Sequence, residues 1–439
     1  MPGRRGSIVT TMENGSTALV SAAVWPGLEP RLLRLEQTAE DYATYVEAGG
    51  YQDLDDPDAL LDEVDRSGLL GRGGAAFPLA VKLRTVRDAG RGGVPTVVLA
   101  NGEEGEPASV KDKWLLRNRP HLVLDGIRLA ARIVGADHAH VYLSDVLAAE
   151  AVNAALHSVP STGLAVAVVT VDPGYVAGEE TAAVRAVNGG PAKPTDKPPR
   201  PFQEGVRGLP TLVSNVETLA NLPFILRHGS DTYRAQGTSA SPGTFLATVT
   251  GGDRPPALYE LPHGTSVTEL LTHHGVSIEN VSGVLMGGYF AGLLNREVLD
   301  VTLDHETMRR LGSGLGCGAV AVISDECPVA VAASVLSYFD RENAGQCGSC
   351  FNGTAAMAAV AGALRDGAAT PEDLGRLERW SVVLRGRGAC ATLDAATNVA
   401  ASLLRAFPND VARHLAGACE PCRTDAYAAA RPYEVEAVS

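Results

Sequence analysis

The feature that most constrains the fold is an alternation of apolar runs and helical stretches between residues 51 and 230. The apolar run from Val94 to Ala100 is followed by a stretch with helical spacing, and then by two further short runs, Val141 to Leu143 and Leu164 to Val171. Strands that alternate with helices in this way predict an α/β domain with a largely parallel sheet. Ligands bind such sheets at the carboxyl ends of the strands, so the loops after these runs are the first candidates for a site.

The remaining chain divides into segments with different patterns. Residues 1–50 are irregular and predict an N-terminal arm ahead of the α/β domain, which we place at residues 51–238. Residues 239–325 alternate short strands with Gly and Pro turns around one helical run, which predicts a small α+β module. Residues 326–418 show helical spacing and predict a compact helical domain, and residues 419–439 predict a polar tail.

Charge and hydropathy exclude several classes of protein. The net charge of −14 argues against nonspecific nucleic-acid binding, because no overall field attracts a phosphate backbone. The longest apolar stretch, Ala355 to Leu364, is half of the ~20 residues that a bilayer requires, so we expect no direct membrane insertion. Ser, Thr and Asn interrupt the first twenty residues, so no secretory signal is expected and the predicted location is cytoplasmic.

A glycine-rich loop precedes a helix-compatible stretch near residue 80. Gly71, Gly73 and Gly74 lie within four residues, in the segment LLGRGGAAFP, and Lys82 follows them. Glycine permits close backbone approach, so the amides of such a loop can face a phosphate or a planar ring. Because the segment matches neither GxGxxG nor GxxxxGK[ST], a flexible turn explains it equally well when it is taken alone.

Polar groups also follow the predicted strands. The segment from Asn101 to Pro107 carries three carboxylates directly after the run Val97 to Ala100, and Glu179-Glu180 follow the strand that ends near Val171. Two such loops can face one crevice, where carboxylates would accept hydrogen bonds from ribityl or ribose hydroxyls. The plainer alternative is a solvated acidic loop. A third polar group, Ser214 to Thr218, reads equally as a helix N-cap.

Cysteine usage indicates localised metal or redox chemistry. Five of the seven cysteines lie after position 340, and an odd total is unlike a disulfide framework. The pair Cys347-x2-Cys350 is a moderate metal signal, with two buried structural cysteines as its alternative. Cys317 and Cys327 lie in apolar contexts and are expected in the core. No HxxxH, HExxH or GxSxG pattern occurs, so neither a hydrolase nor a mononuclear zinc site is predicted.

Several motifs in one order carry a family resemblance. GRGGAAFP, NGEEGEP followed by KDK, YVAGEET, KPP and SNVETLAN together resemble the flavin- and NADH-binding subunit of respiratory complex I and its relatives in NAD-linked hydrogenases and formate dehydrogenases. The match spans roughly residues 55–415. It implies a Rossmann-like FMN-binding domain, a β-grasp module of the soluble-ligand-binding type and a C-terminal helical bundle that holds one iron–sulfur cluster.

The resemblance also implies which residues bind the cofactors. Phe77, Glu106 and Lys197 would lie nearest the nicotinamide nucleotide NAD(H), while Glu104 and Glu179 would orient it and tune the flavin. The residues that resemble the FMN-binding positions are Gly71, Arg72, Gly73, Gly74, Lys82, Asn101, Glu103, Glu104, Tyr175, Gly178, Glu179, Glu180, Ser214, Asn215 and Thr218.

The cluster motif departs from the family pattern. That pattern is C-x2-C-x2-C with a fourth cysteine about forty residues later, and here it reads Ala344, Cys347 and Cys350 with Cys390 as the distant partner. Three thiolates suggest a 3Fe–4S centre, a 4Fe–4S cluster with an unusual fourth ligand, or a lost cluster. Asn343, a water or a tail cysteine would be the substitute ligand.

Two further departures concern the tail and the nucleotide. The pair Cys419-x2-Cys422 would supply the missing ligand, bind a separate centre with a partner, or form a disulfide, and we favour the last two. The aromatic residues that stack on NADH are replaced, with Thr85 near one position and Arg200 at the other. A guanidinium there would favour an added phosphate, as in NADPH.

The resemblance therefore implies an NADH dehydrogenase-type flavoprotein oxidoreductase subunit. It would pass electrons from NAD(P)H through FMN to an iron–sulfur cluster and then to a ferredoxin-like partner subunit. The missing cluster cysteine and the missing stacking aromatics favour a rival hypothesis, in which a degenerate family member serves as a scaffold or electron-transfer subunit without NADH oxidation.

Overall fold

The computed structural model describes residues 18–34, 39–160, 163–424 and 429–437. Most of the segment on which we predicted the absence of a secretory signal lies outside these residues. Within them, no helix combines the length and the apolar character needed to cross a membrane.

The first part of the chain forms the predicted α/β domain, preceded by one strand and a short helix. Its elements in chain order are β1 (Ala18–Ala23), α1 (Tyr42–Glu47), α2 (Pro57–Ser67), α3 (Leu79–Ala89), β2 (Thr96–Asn101), α4 (Lys111–Asn118), α5 (Pro120–Val134), β3 (Ala136–Leu143), α6 (Val146–Ser158), β4 (Ala165–Thr170), α7 (Glu180–Val187), β5 (Thr211–Asn215), α8 (Val216–Ala220) and α9 (Leu222–Arg234).

Four of these strands form a parallel sheet in the order β4-β3-β2-β5. The chain moves outward from β2 through β3 and β4 and then returns to the other side of β2. The strand order therefore reverses between β2 and β5, where the register pairs Asn101 with Asn215. An open parallel sheet leaves a crevice at such a reversal, outside the carboxyl ends of its strands. The loops after β2 and β5 border this crevice.

The second module contains short strands and two short helices, as its turn-rich sequence predicts. Its elements are β6 (Thr244–Gly251), β7 (Ala257–Pro262), β8 (Thr265–Ser266), α10 (Val267–His273), β9 (Gly283–Met286), β10 (Leu293–Asn295), β11 (Thr302–Leu303), α11 (His305–Arg310) and β12 (Ala319–Ile323).

The predicted helical domain follows and is built mostly of amphipathic helices. The remaining elements are α12 (Pro328–Glu342), α13 (Gly348–Arg365), α14 (Pro371–Val383), α15 (Thr392–Ala406), α16 (Pro408–Ala416), α17 (Glu420–Arg423) and the strand β13 (Val435–Ala437).

The predicted arm and tail each contribute a strand to the second module. Their strands complete a seven-stranded sheet in the order β10-β9-β12-β6-β7-β1-β13. Strand β1 runs parallel to β7 and to β13, so the two ends of the chain meet at one edge of the second module. The sequence did not predict this pairing, because strand partners so far apart along the chain leave no local pattern.

Helix α5 holds the α/β domain together through very close packing. Nearly all of its residues are buried, and it packs against α8 at Gly126. A Cβ at that position would lie 2.1 Å from the carbonyl oxygen of Leu219, which is rigid backbone and cannot move aside. The glycine is therefore required by the distance between the two helices.

We predict that Gly126→Ala lowers the free energy of unfolding by at least about 2 kcal/mol, because the added methyl forces α5 and α8 apart. Gly375→Ala is the matched control. Gly375 lies in α14 with no atom within 4 Å of the added methyl, so alanine there should stabilise the helix by up to about 1 kcal/mol. Thermal or urea unfolding of both variants measures the difference, and equal effects would contradict the close packing.

Candidate functional site

A cavity of about 900 Å³ opens at the crevice between β2 and β5. All the cofactor-binding residues predicted from the sequence line it except Gly71 and Thr218, and of the three predicted cluster cysteines Cys390 lines it. Its size lies in the range of small-molecule sites. The structure therefore brings the separate sequence motifs to one place.

The glycine-rich loop forms one wall of this cavity. The amide of Gly71 donates to the carbonyl oxygen of Phe77 at 2.9 Å, which closes the loop at its base. Gly74 has a φ of 103°, and Ala76 has a φ of 50° in the left-handed region. A Cβ at Gly73 would lie 3.2 Å from the Cβ of Asn215. At Gly73 and Gly74 this wall therefore consists of bare backbone, as a flat ring or a phosphate needs.

Arg72 anchors the loop from behind. Its backbone amide donates to the Thr218 hydroxyl at 2.8 Å. Its guanidinium donates to the hydroxyl of Tyr233 at 3.1 Å and to the carbonyl oxygen of Thr244 at 3.0 Å. With 4% of the residue exposed, Arg72 ties the loop to the start of β6, while Thr218 supports it from α8 without lining the cavity.

The acidic loop after β2 places its three carboxylates in different surroundings. Glu103 accepts a long hydrogen bond from the Gly174 amide at 3.4 Å on one oxygen. Its other oxygen, Oε2, is buried and has no partner. Burial raises the pKa of Glu103, and its unpartnered oxygen is a buried acceptor in a residue that lines the cavity.

Glu104, by contrast, is fully satisfied by the protein. Its Oε1 accepts a hydrogen bond from the Ser109 hydroxyl at 2.6 Å, and its Oε2 accepts from the amides of Asp112 and Lys113 at 3.0 Å each. The side chain thus binds the amides at the start of α4. That Glu104 orients a nucleotide stays a prediction, and the structure gives this residue a supporting contact instead.

Glu106 lies where the acidic loop meets the second module. Its Oε2 accepts a hydrogen bond from the Tyr289 amide at 3.0 Å, and its Oε1 is buried without a partner. Burial raises the pKa of Glu106 to about 8, so this carboxyl is mostly protonated at neutral pH. Tyr175 is also buried, and this burial together with the nearby carboxyl of Glu106 raises the pKa of its hydroxyl.

Lysine and arginine side chains also line the cavity. The Lys82 ammonium donates to the carbonyl oxygen of Val213 at 3.1 Å, and burial lowers its pKa. At the rim, Lys197 contacts Glu179 at 2.5 Å and Glu180 at 3.7 Å, and Arg200 lies 3.8 Å from Glu180. Glu179 also caps α7 by accepting from the Thr181 amide at 2.8 Å.

These groups fit the flavin that the family resemblance implies. The unpartnered Oε2 of Glu103 is an acceptor suited to a ribityl hydroxyl, and the bare backbone at Gly73 and Gly74 suits a ring or a phosphate. Lys82 supplies a half-buried cation for an anionic group. The Oε1 of Glu106 is a second buried oxygen without a partner, on the side of the cavity formed by the second module.

Sequence reasoning missed part of the cavity. Gly287 and Phe290 reach it from the second module, together with Gly316 and Cys317. A Cβ at Gly316 would lie 2.0 Å from the carbonyl oxygen of Gly287, so these two loops cross with their backbones in contact. Their only sequence signal is the clustering of glycines in GGYF and GSGLGCG, which also suits an ordinary turn.

Sequence reasoning also missed a buried ion network beneath the cavity. The Lys111 ammonium lies 2.9 Å from Glu217 and 2.7 Å from Asp112, and the Asn215 side chain donates to Asp112 at 2.7 Å. The motif KDK marks the place in the sequence. Nothing in its pattern distinguishes a buried lysine from an exposed one.

The three predicted cluster cysteines lie around the start of α13. Cys347 directly precedes the helix, Cys350 is in its first turn, and the Cys347 sulfur accepts from the Ala389 amide at 3.5 Å, next to Cys390. Burial raises the pKa of Cys350 to about 12, with further contributions from the other two thiols. Three thiols in this arrangement suit a multi-iron centre, whose ligands bind different irons and lie further apart than those of a single ion.

Asn343 is already engaged elsewhere. Its side-chain oxygen accepts from the Gly345 amide at 3.0 Å, and its side-chain nitrogen donates to the carbonyl oxygen of Asp340 at 2.6 Å. The carbonyl oxygen of Ala344 accepts a hydrogen bond from the Lys193 ammonium at 3.0 Å. The Asn343 side chain is already occupied and is therefore not placed as a ready substitute for the missing thiol.

Gly353, by contrast, is packed against leucine side chains. It lies one helical turn after Cys350 on α13. A side chain added there would point at Leu384 and Leu393, which flank the loop that carries Cys390. A Cβ at Gly353 would be 2.8 Å from Cδ1 of Leu384, the flexible end of a side chain. The missing thiol of the family pattern therefore corresponds to Ala344 and not to this packed position.

Two family models match the parts of the chain that build this site. Residues 64–224 match the Nuo51 FMN-binding domain, and residues 330–414 match the NADH-ubiquinone oxidoreductase-F iron–sulfur binding region. The first range carries the glycine-rich loop and both acidic loops, and the second carries all three cluster cysteines.

Curated relatives align along most of the chain. The NADH-quinone oxidoreductase F-subunit 2 of Rhizobium meliloti (strain 1021) is 32% identical over 413 residues, which are 88% of this chain and 98% of the relative. The NADH-quinone oxidoreductase F-subunit of Aquifex aeolicus (strain VF5) is 33% identical and covers 75% of this chain and 80% of its own length. The mitochondrial NADH dehydrogenase [ubiquinone] flavoprotein 1 of Dictyostelium discoideum is 32% identical, with coverage of 81% and 78%.

A solved structure agrees with this alignment. An NAD⁺-reducing NiFe hydrogenase in its H₂-reduced state matches with a TM-score of 0.76 and 32% sequence identity, over 82% of this chain and 63% of the hydrogenase chain. From its sequence relatives and from both family models, the chain belongs to the family of NADH-quinone oxidoreductase F-subunits, the complex I components with an FMN-binding domain and an iron–sulfur binding region.

Proposed function

We propose that this chain is an NADH-oxidising flavoprotein subunit. It binds FMN at the β2–β5 crevice and passes electrons to an iron–sulfur centre at Cys347, Cys350 and Cys390, and from there to a partner subunit. The observation that carries the proposal is one continuous cavity, lined at one part by the glycine-rich and acidic loops and at another by Cys390. When bound, FMN supplies the change from two-electron to one-electron transfer that this route needs.

The chain's own residues bind and position the cofactors. Glu103 accepts hydrogen bonds from flavin hydroxyls, and Lys82 offsets an anionic group in the same cavity. Lys197 and Arg200 at the rim lie where an anionic nucleotide would enter. The preference for NADPH over NADH through Arg200 stays a prediction.

The relatives' names place them in multi-subunit enzymes, which supports a partner subunit as electron acceptor. The ferredoxin-like character of that partner and the cytoplasmic location stay predictions. The rival hypothesis of a scaffold without NADH oxidation is tested by the same experiment: NADH should bleach the flavin absorbance of the purified protein under anaerobic conditions. An intact FMN spectrum that NADH leaves unchanged would support the scaffold.

We predict that Glu103→Gln and Lys82→Ala each weaken FMN binding by about 10-fold to 100-fold, because each removes a charge-assisted hydrogen bond. Fluorescence titration of the apoprotein with FMN measures the dissociation constant. Glu150→Gln is the matched control, since Glu150 is exposed on α6. Unchanged FMN affinity in both pocket variants would contradict this assignment of the cavity.

We predict a pH limit set by Glu106. With its pKa at about 8, this carboxyl is neutral below pH 8 and gains a negative charge above it, which repels an anionic nucleotide. The kcat/KM for NADH with an artificial acceptor should therefore fall by up to about tenfold per pH unit above pH 8. Glu106→Gln should lose this alkaline decline, and Glu150→Gln should keep it. A decline that persists in Glu106→Gln would assign the titration to another group.

We predict that the wild-type protein, reconstituted anaerobically with iron and sulfide, gives the EPR signal of a three-iron centre. Because Ala344 occupies the position of the missing thiol in the family pattern, Ala344→Cys should convert this signal into that of a reducible four-iron cluster. Gly353→Cys is the paired variant, because a side chain there would meet leucines, and conversion by it but not by Ala344→Cys would contradict the assignment of the missing ligand to position 344. Absence of iron from all three proteins would make these cysteines structural.

A further inference from the structure

Four side chains that the proposed function does not use converge at the end of the helical domain. Cys327, His414, Cys419 and Cys422 offer ligand atoms that all lie within 4.8 Å of one another. Among the described residues this is the only such group of three or more Cys, His, Asp or Glu side chains. We name it the Cys3His cluster.

We propose that the Cys3His cluster is a structural zinc site, separate from the iron–sulfur centre. Cys327 was expected in the core and is buried there, and the proposal adds a metal-binding role that the sequence patterns did not predict. The donor set is one that zinc prefers, with three thiolates and one imidazole. The Cys3His cluster supplies all four ligands of a tetrahedral site, which leaves no open position for catalysis.

The distances suit a single ion. The Cys327 sulfur lies 3.2 Å and the Cys422 sulfur 4.0 Å from Nε2 of His414. Ligands around a tetrahedral zinc ion, at Zn–S of about 2.3 Å and Zn–N of about 2.0 Å, lie about 3.5–3.8 Å apart. The four donors therefore already surround a volume of the right size.

The histidine is oriented by the backbone behind it. His414 is fully buried, and its Nδ1 lies 3.0 Å from the carbonyl oxygen of Leu364 and 3.1 Å from that of Arg365. Carbonyl oxygens only accept hydrogen bonds, so Nδ1 carries the proton and Nε2 presents its lone pair to the three sulfurs. Metal-binding histidines are held in the same way by a hydrogen bond from their other nitrogen.

The site would clamp the domain that carries the iron–sulfur cysteines. Cys327 directly precedes α12. Cys419 directly precedes α17, and Cys422 lies within it. One ion would therefore join the two ends of the helical domain. The carbonyl groups behind His414 end α13, the helix that begins beside Cys347. A cleft of about 370 Å³ lined by Cys327 and Cys419 gives the ion a route from solvent.

The test is the metal content of the full-length protein, purified anaerobically and analysed by inductively coupled plasma mass spectrometry. We expect one zinc per chain in addition to any iron. His414→Ala and Cys419→Ser should lose the zinc and keep the iron. Cys350→Ser is the matched control, because it should lose the iron and keep the zinc. This double separation distinguishes failure of the zinc proposal from failure of the iron–sulfur assignment.

A variant that fails to fold would not decide the matter, so the wild-type protein provides a second measurement. Replacement of the zinc by Co²⁺ should give the intense ligand-field bands of tetrahedral thiolate-bound cobalt, and zinc should bleach them. The proposal is overturned by protein with iron but no zinc, by zinc that persists in both cluster variants, by a Cys419–Cys422 disulfide in the purified chain, or by loss of iron in Cys419→Ser.

Discussion

The buried ion pair between Lys111 and Glu217 is the contact on which the rest of the site depends. Its atoms lie 2.9 Å apart, and both residues are 1% exposed. The other oxygen of Glu217 accepts from the Leu246 amide in β6 at 2.9 Å, so the pair joins α4, α8 and the second module. Asn215 links the same network to the start of α8. Removing one partner of such a pair leaves a buried charge uncompensated, which costs about 3–5 kcal/mol.

This network explains why the cavity forms between parts of the chain that are far apart in sequence. The glycine-rich loop is anchored through Arg72 to the start of β6, and the acidic loop is held through Glu104 to the start of α4. The second module contributes the crossing backbones of Gly287 and Gly316. The loops are thus supported by charged and hydrogen-bonded groups beneath them, and Glu103 and Lys82 line the cavity.

Much of the fold and of the site was predictable, for reasons that particular residues make plain. The run Val97 to Ala100 is buried as β2, and its loop carries the carboxylates to the crevice, because a local apolar pattern determines a strand and the loop that follows it. The role of each carboxylate was not predictable. Glu103 and Glu104 are neighbours in the sequence, yet one has an unpartnered oxygen and the other binds the amides of α4.

The sequence by itself determined the parallel α/β domain, the order of its ligand-binding motifs and the three thiols of the cluster motif, since each rests on residues close together along the chain. The tertiary structure alone decided which distant residues meet. It pairs β1 with β13 across the whole chain and brings Cys327 to His414, 87 residues later. A spacing that long leaves no periodic trace, because it is set by how packed helices return to one another and not by any local repeat.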